Sequence, residues 1–329
     1  MNSKDILKDL ISFDTIKDKD NKEILDYIEN YLKKYGFKTE YRSKCLIMSN
    51  REECSIGFLG HTDTVTDSSD WTMNPFKLVE KDNKLYGLGS CDMKGGIAAI
   101  LSIIPKIDKG IKLFFTYDEE IGFSGIKELI DKKIEFPDTM IIGEPTENKI
   151  INSSKGLLEF KNNFKGVSCH SSNPSEGINA IEKCIDFITE LKKYYKELER
   201  EKYNSRSLTM NIGAINGGNS INIVPNNCEV LIDFRTMTKD QNVNIIKKVE
   251  ELLEKYNGTY EIINKIDPFM SDKNNVKLSD FITEASFLDS KNRYILGAGP
   301  NNAHKADEYI TVDSLEELER QYLDIIKMI

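Results

Sequence analysis

The sequence contains three histidines, and each lies in a separate cluster of acidic, glycine or small polar residues. His61 lies in GHTDTV, His170 in CHSSNPSEG and His304 in GAGPNNAHKADEY. Imidazole is the commonest metal ligand in proteins and the usual proton shuttle near neutral pH. A single histidine is more often a structural residue than a ligand. Three in such surroundings indicate a site that performs metal-dependent or acid–base chemistry.

Several carboxylates occur close to the ends of apolar runs that predict strands. They are Asp63, Asp92, Glu119, Glu120 and Glu144. Open α/β sheets bind ligands beyond the carboxyl ends of their strands, so these side chains are expected to converge with His61 and His304. Nitrogen and oxygen ligands of this kind suit zinc, cobalt or manganese. Because the carboxylates outnumber what one tetrahedral ion uses, the sequence predicts two metal ions that share a bridging carboxylate.

The adjacent pair Glu119 and Glu120 follows the apolar run IKLFFTY. Consecutive residues that leave a strand point in different directions, so one glutamate can bind a metal while the other faces the attacking water as a general base. The alternative interpretation of such a pair is a solvated turn. We favour the catalytic interpretation because the other histidine and carboxylate clusters are expected to converge with this pair.

The elements that must position these residues fall into two patterns, and the length of 329 residues also favours two domains. The runs CLIM, SIGFLG, IKLFFTY and TMIIGE predict strands buried on both faces. Helical segments alternate with them, and a capping box from Ser314 to Glu317 predicts the start of a late helix. We therefore predict an α/β catalytic domain with a largely parallel sheet, formed by residues 1–155 and 269–329.

The segment 156–268 has a different order of predicted elements: strand, helix, strand, strand, helix, strand. This order is the split β-α-β signature of a small α+β domain. We expect an inserted domain here.

Composition limits the class of protein. The net charge of −9 argues against a nucleic-acid partner. The apolar run from Ile97 to Ile104 is too short to span a bilayer, and the amino-terminal stretch has no long apolar segment. The six cysteines form no CxxC pair, which is typical of reduced thiols. The sequence thus predicts a cytoplasmic protein with no membrane partner.

Several motifs occur in the order seen in a known superfamily: GHTDTV, LYGLGSCDMKGG, TYDEEIG, IIGEPTE, CHSSNP, NIVP and AHKADEY. The chain resembles the dinuclear zinc aminoacylase and carboxypeptidase superfamily. Within it, nearly the whole chain is similar to the acetylornithine deacetylase and succinyl-diaminopimelate desuccinylase family. The similarity to the deacetylases is greater than the similarity to the desuccinylases. TEASF from Thr283 and ILGAGPNNAHKADEYI carry part of this similarity.

The resemblance implies an amidohydrolase with two divalent metal ions, zinc first and cobalt or manganese next, that removes the acyl group of an N-acyl amino acid. N-acetylornithine is the expected substrate. Succinyl-diaminopimelate, acetyl-lysine and dipeptides are the alternative substrates. A catalytically silent binding protein is the alternative of another class.

The resemblance also implies the metal ligands. His61, Asp92 and Glu144 would hold one ion, and Asp92, Glu120 and His304 would hold the other, with Asp92 bridging. It further implies a cis peptide bond after Asp92.

The same resemblance implies roles for residues around the ligands. Asp63 would orient the His61 ring, and Glu119 would be the general base that takes a proton from the attacking water and delivers it to the leaving amine. His170 would stabilise the oxyanion in the active site of the partner in a homodimer built through the inserted domain.

Asn222 and Arg235 are expected to bind the substrate, Arg235 through its carboxylate. The alternative for Arg235 is a local salt bridge to Asp233. Cys169 stands where the family often has glycine, and the approach to His304 is one residue shorter than is usual there. Both departures lie near the expected substrate site.

Overall fold

The protein is described by a computed structural model for residues 1–16, 19–202, 206–271, 277–279 and 281–329. The chain forms two compact units. The first unit comprises Met1–Asn152 and Thr283–Ile329, and the second unit comprises Ser153–Ile282.

The helices and strands alternate in the first unit and are segregated in the second. The α-helices of the described residues are α1 Ser3–Ile11, α2 Lys22–Lys33, α3 Lys94–Ile103, α4 Ser124–Asp131, α5 Ala180–Leu198, α6 Lys239–Tyr256 and α7 Val312–Met328. The strands are β1 Lys38–Arg42, β2 Leu46–Ser49, β3 Ile56–His61, β4 Val79–Lys81, β5 Lys84–Tyr86, β6 Ile111–Thr116, β7 Thr139–Ile142, β8 Ser153–Ser154, β9 Leu157–Lys165, β10 Thr209–Gly217, β11 Asn227–Arg235, β12 Gly258–Ile266, β13 Phe269–Met270, β14 Leu278–Ser279, β15 Asn292–Ile295 and β16 Tyr309–Thr311. Among the described residues, no helix has both the length and the apolar character that crossing a membrane requires.

A six-stranded sheet in the order β1-β2-β6-β3-β7-β15 forms the centre of the first unit. β6, β3, β7 and β15 are parallel neighbours, whereas β1 and β2 add antiparallel pairs at one edge. Every residue of β3 and β7 is buried, as expected for strands covered on both faces. The predicted α/β class with a largely parallel sheet is confirmed.

Helix α3 fixes the middle of this unit. All of its residues are buried, and it contacts α1, α7 and β3. Gly96 permits the close approach of α3 to the end of β7, because a Cβ atom there would lie 2.5 Å from the carbonyl oxygen of Gly143. Tight packing prevents α3 from shifting. The loop that leads into α3 is therefore held in place as well.

Helix α7 begins earlier than predicted. It starts at Val312, and the Thr311 Oγ1 atom accepts a hydrogen bond from the Ser314 N–H at 3.1 Å. The predicted capping box at Ser314 is wrong, because the Ser314 hydroxyl has other partners. It donates to Asn148 Oδ1 and accepts from the Gly299 N–H at 2.8 Å.

An antiparallel sheet in the order β10-β11-β9-β12 forms the second unit, together with α5 and α6. Burial alternates along β9 and β11, so one face of this sheet carries the core. The predicted inserted segment, 156–268, lies within this unit. The unit also includes residues beyond 268, because β13 and β14 pair with β8.

Candidate dinuclear metal centre

The predicted metal ligands lie where strands or loops of the first unit end at one edge of the central sheet. His61 ends β3, Glu119 and Glu120 follow β6, Glu144 follows β7, Asp92 lies between β5 and α3, and His304 lies between β15 and β16. Because β3, β6, β7 and β15 are parallel, their carboxyl ends meet at this edge. The topology therefore brings residues from five separate chain segments together.

Asp92 lies at the centre of the cluster. Its Oδ1 atom is 3.1 Å from His61 Nε2, and its Oδ2 atom is 3.5 Å from His304 Nε2. His304 Nε2 also lies 2.9 Å from Glu120 Oε2. The two carboxylate oxygens thus face different histidines, which is the arrangement that a bridging ligand needs. The peptide bond Asp92–Met93 is cis, which confirms the expectation from the resemblance.

Glu144 and Glu119 complete the cluster on the side of His61. Glu144 Oε1 is 3.9 Å from His61 Nε2. Two sets of side chains have ligand atoms that all lie within 4.8 Å of one another: His61 with Asp92 and Glu120, and His61 with Glu119 and Glu144. Glu119 is therefore close enough to act on a ligand bound here.

The ring of His61 is oriented by Asp63. Nδ1 lies 3.0 Å from the Asp63 carbonyl oxygen and 3.4 Å from Asp63 Oδ1. A carbonyl oxygen can only accept, so Nδ1 carries a proton and Nε2 is the ring nitrogen that faces the cluster. The Asp63 carboxylate also accepts from the Glu120 N–H at 3.3 Å, which connects the two ligand-bearing loops. The orientation of His61 thus involves the Asp63 main chain as well as its side chain.

The buried carboxylates are electrostatically unfavourable without a cation. Burial raises the pKa of Glu144 well above its ordinary value, and the charges of Asp92 and Glu119 raise it further. Burial likewise raises the pKa of Glu119. Within the described residues, Glu120 Oε1 and Glu144 Oε1 make no hydrogen bond although both atoms are buried. Oxygen atoms of this kind, beside two imidazoles, fit a pair of divalent cations.

The histidines balance part of this negative charge. Hydrogen bonds to Asp92 and Glu120 raise the pKa of His304 to about 10. Burial alone would raise the pKa of Asp92, but the hydrogen bonds from His304 and His61 outweigh it and hold that pKa below its usual value. Metal ligation requires neutral imidazoles, so metal binding here releases protons.

His170 and Asn222 lie in the second unit, and the structure brings these two residues together there. His170 pairs with Ile223 in an isolated β-bridge, and the Ser171 N–H donates to the Asn222 carbonyl oxygen at 3.0 Å. The Ser172 N–H donates to His170 Nδ1 at 3.2 Å, so Nδ1 is an acceptor. The neutral ring therefore carries its proton on Nε2, and the exposed side chain can donate it to a ligand.

Arg235 also lies in the second unit, at the end of β11. Its Nε atom donates to Asp233 Oδ2 at 3.1 Å, so the local salt bridge considered for this residue exists. That bond uses Nε, whereas a bidentate grip on a carboxylate can use the terminal amino groups.

Sequence reasoning missed two buried glutamates of the first unit. Glu308 accepts three backbone hydrogen bonds from the loop that carries Asp92. Glu284 accepts from Thr116 Oγ1 at 2.9 Å, at the end of β6. Both glutamates stand inside stretches that carry the resemblance, AHKADEY and TEASF. The signal that could have identified them is that each is an acidic residue in a stretch similar to the family, with no role assigned to it.

Comparisons with known proteins identify the family of this chain. The family model for peptidase family M20/M25/M40 matches residues 57–328. An acetylornithine deacetylase from Buchnera aphidicola is 35% identical over 357 residues, covering 93% of this chain and 92% of that enzyme. An acetylornithine deacetylase from Pasteurella multocida is 31% identical over 348 residues, covering 93% and 90%.

Solved structures show the same fold. Aminopeptidase PepT from Bacillus cereus superposes with a TM-score of 0.79 at 18% identity and covers 98% of each chain. A dinuclear metal-binding peptidase of the M20 family from Bacillus subtilis superposes with a TM-score of 0.72 at 13% identity, covering 98% of this chain and 96% of its own. The matched family, the fold and the cluster of ligand residues lead to one conclusion: the chain belongs to peptidase family M20/M25/M40, a family of hydrolases, and carries groups of side chains that could hold metal ions.

Proposed function

We propose that the protein removes the acyl group of an N-acyl amino acid and that N-acetylornithine is its substrate. The observation that carries this proposal is the placement of Asp92 between His61 and His304, with Glu119 beside them. The two acetylornithine deacetylases, more than 30% identical over most of the chain, support the choice of substrate.

The proposed ligands are divided between two divalent ions, most suitably zinc. His61 and Glu144 would hold one ion, Glu120 and His304 the other, and Asp92 would contribute one oxygen to each. When bound, such ions polarise the amide carbonyl and lower the pKa of water. Asp63 holds the His61 ring so that Nε2 faces this site.

Glu119 is proposed as the general base. Burial raises the pKa of Glu119 well above its ordinary value, which makes its carboxylate a stronger base. Its carboxylate takes a proton from water as the oxygen attacks the amide carbon. It then gives that proton to the nitrogen of the leaving amino acid when the carbon–nitrogen bond breaks, which restores Glu119 for the next cycle.

His170 is proposed to complete the site of the partner in a homodimer, and Asn222 and Arg235 are proposed to bind the substrate. The Nε2–H donor of His170 would stabilise the oxyanion that forms on the amide oxygen. Asn222 would contact the substrate, and Arg235 would bind its carboxylate. The tautomer of His170, fixed by the Ser172 N–H, supports the donor role.

Assays of purified, zinc-loaded protein test the proposal. The panel is N-acetylornithine, succinyl-diaminopimelate, acetyl-lysine and simple dipeptides, with chelated protein as the control. We expect N-acetylornithine to give the highest kcat/KM and chelation to abolish the activity. Preference for another substrate would overturn the substrate assignment. Hydrolysis of none by protein shown to hold two metal ions would favour a catalytically silent binding protein.

A further inference from the structure

The loop from Gly87 to Asp92 wraps around the carboxylate of Glu308. Glu308 Oε2 accepts from the Gly89 N–H at 2.9 Å. Glu308 Oε1 accepts from the Cys91 N–H at 2.7 Å and from the Asp92 N–H at 3.0 Å. Three backbone donors from four consecutive residues thus converge on one buried side chain, and the last belongs to the proposed bridging ligand.

The position of Glu308 is itself fixed from two sides. Its carbonyl oxygen accepts from the Gly87 N–H at 3.0 Å, and the next residue begins β16, which pairs with β5. Gly89 has a positive φ of 80°, a conformation that suits glycine and turns the loop back onto the carboxylate. Glu308 also follows His304 by four residues. The glutamate therefore connects the loop of one proposed ligand with the loop of another.

A carboxylate is the side chain that satisfies this arrangement. All three partners are N–H donors, so both ends of the Glu308 head group must accept. A glutamine could keep one oxygen toward two donors, but its amide NH₂ would then face the remaining donor. Buried N–H groups that lose their acceptor destabilise the local structure, so the loop would have to move.

We propose that Glu308 is a positioning residue for the metal pair, which sets the Asp92 carboxylate between His61 and His304. The inference rests on the proposed two-metal function. The glutamate does not touch the reacting atoms. It acts on metal affinity, because a bridging carboxylate displaced with its loop cannot serve both ions.

The test is a titration of metal-free, folded protein with Zn²⁺ and with Co²⁺, followed by calorimetry and, for cobalt, by visible absorption. Glu308→Gln should lose roughly 10- to 100-fold in apparent affinity for the pair, the range typical when a partner of a metal ligand is removed. The Co²⁺ absorption band should also change, since the coordination of Asp92 changes. A role in folding alone would lower the thermal stability of metal-free protein and leave affinity and spectrum intact.

The matched control is Asp307→Asn. The carboxylate of Asp307 accepts from the N–H and the hydroxyl of Thr72, so it holds a different loop from the adjacent position. This variant should bind both metals as wild type does. If Glu308→Gln does not fold, Glu308→Asp keeps the charge but shortens the side chain by one methylene group, and it should show a smaller loss of affinity.

The outcomes separate the two hypotheses. Two metal ions bound by wild type and by the Glu308 variants with equal affinity would overturn the role of Glu308 and leave the proposed function standing. Failure of wild type itself to bind a pair of ions would overturn the proposed function, and with it the basis of this inference.

Discussion

The proposed ligands of the first unit and the proposed donors of the second unit are held in opposite ways. His61 is fully buried, and besides the neighbouring Asp63 its partners, Asp92 and Glu144, come from positions tens of residues away in the sequence. His170 and Asn222 are exposed, and Ser172 and Ser220, each two residues away, hydrogen-bond to their side chains. Buried charges must be paired within the fold, whereas exposed donors remain available for a ligand. The first group should therefore govern metal binding, and the second group should govern substrate binding and turnover.

The largest effect should follow from Glu119→Gln. Turnover should fall by about 10²- to 10⁴-fold because the proton acceptor is lost, while both metal ions stay bound. Metal analysis and kcat on the same preparation measure this. Glu120→Gln is the matched neighbour, and its main defect should be loss of metal. Near-normal turnover of Glu119→Gln, or loss of its metal, would exchange the two roles.

His170→Ala should lower kcat by about 10²- to 10³-fold without loss of metal or of the proposed homodimer, because one proposed oxyanion donor is removed. Kinetics, metal analysis and light scattering provide the three readouts.

Mixing His170→Ala with Glu119→Gln subunits tests whether the site is shared. A heterodimer with shared sites has one site with both defects and one site with neither, so activity should return after subunit exchange. A mixture that stays inactive although heterodimers form would place the action of His170 within its own chain.

Arg235→Lys should raise KM by about 10- to 100-fold with a smaller change in kcat, because a bidentate, charge-assisted contact to the substrate carboxylate is lost. Asp233→Asn is the control, since it breaks the observed ion pair and keeps the guanidinium. Equal defects in both variants would assign Arg235 to the local pair.

The smallest effect concerns the pH dependence of stability in metal-free protein. Burial raises the pKa of Glu284 to about 8 from its ordinary value of 4.5. Between these values the unfolded chain has released the proton that the folded chain keeps, so the Glu284 contribution to stability falls as pH rises from about 4.5 to about 8. Glu284→Gln, which cannot titrate, should lack this component in denaturant titrations at several pH values. Parallel pH profiles for the two proteins would contradict the assignment.

The sequence predicted the central sheet because its strands are apolar on both faces, as in SIGFLG. It also predicted which residues meet at the sheet edge, since the direction of parallel strands determines where their ends lie. The pairs β4–β5 and β5–β16 were not predicted, because these strands have three residues each and are only partly buried. Their positions depend on tertiary contacts that no local pattern encodes.

The side chains that orient the ligands were harder to predict than the ligands. Glu308 acts through three backbone N–H groups. The type of a residue does not reveal whether its backbone N–H donates to a distant side chain. The start of α7 was missed for a similar reason, since Ser314 resembles a cap locally but hydrogen-bonds to Asn148 and Gly299. Competition between local and distant partners decides such positions.

The discontinuity of the first unit has a consequence for synthesis on the ribosome. When residue 152 has been made, β7 still lacks its neighbour β15, and α3 lacks α7. Both arrive only after the whole second unit has been translated, and His304 arrives with them. The nascent first unit therefore has an unpaired strand and uncovered apolar side chains while the second unit is translated. The second unit is continuous in sequence and can fold during this time. The cluster of proposed metal ligands is completed only when the two parts of the first unit have joined.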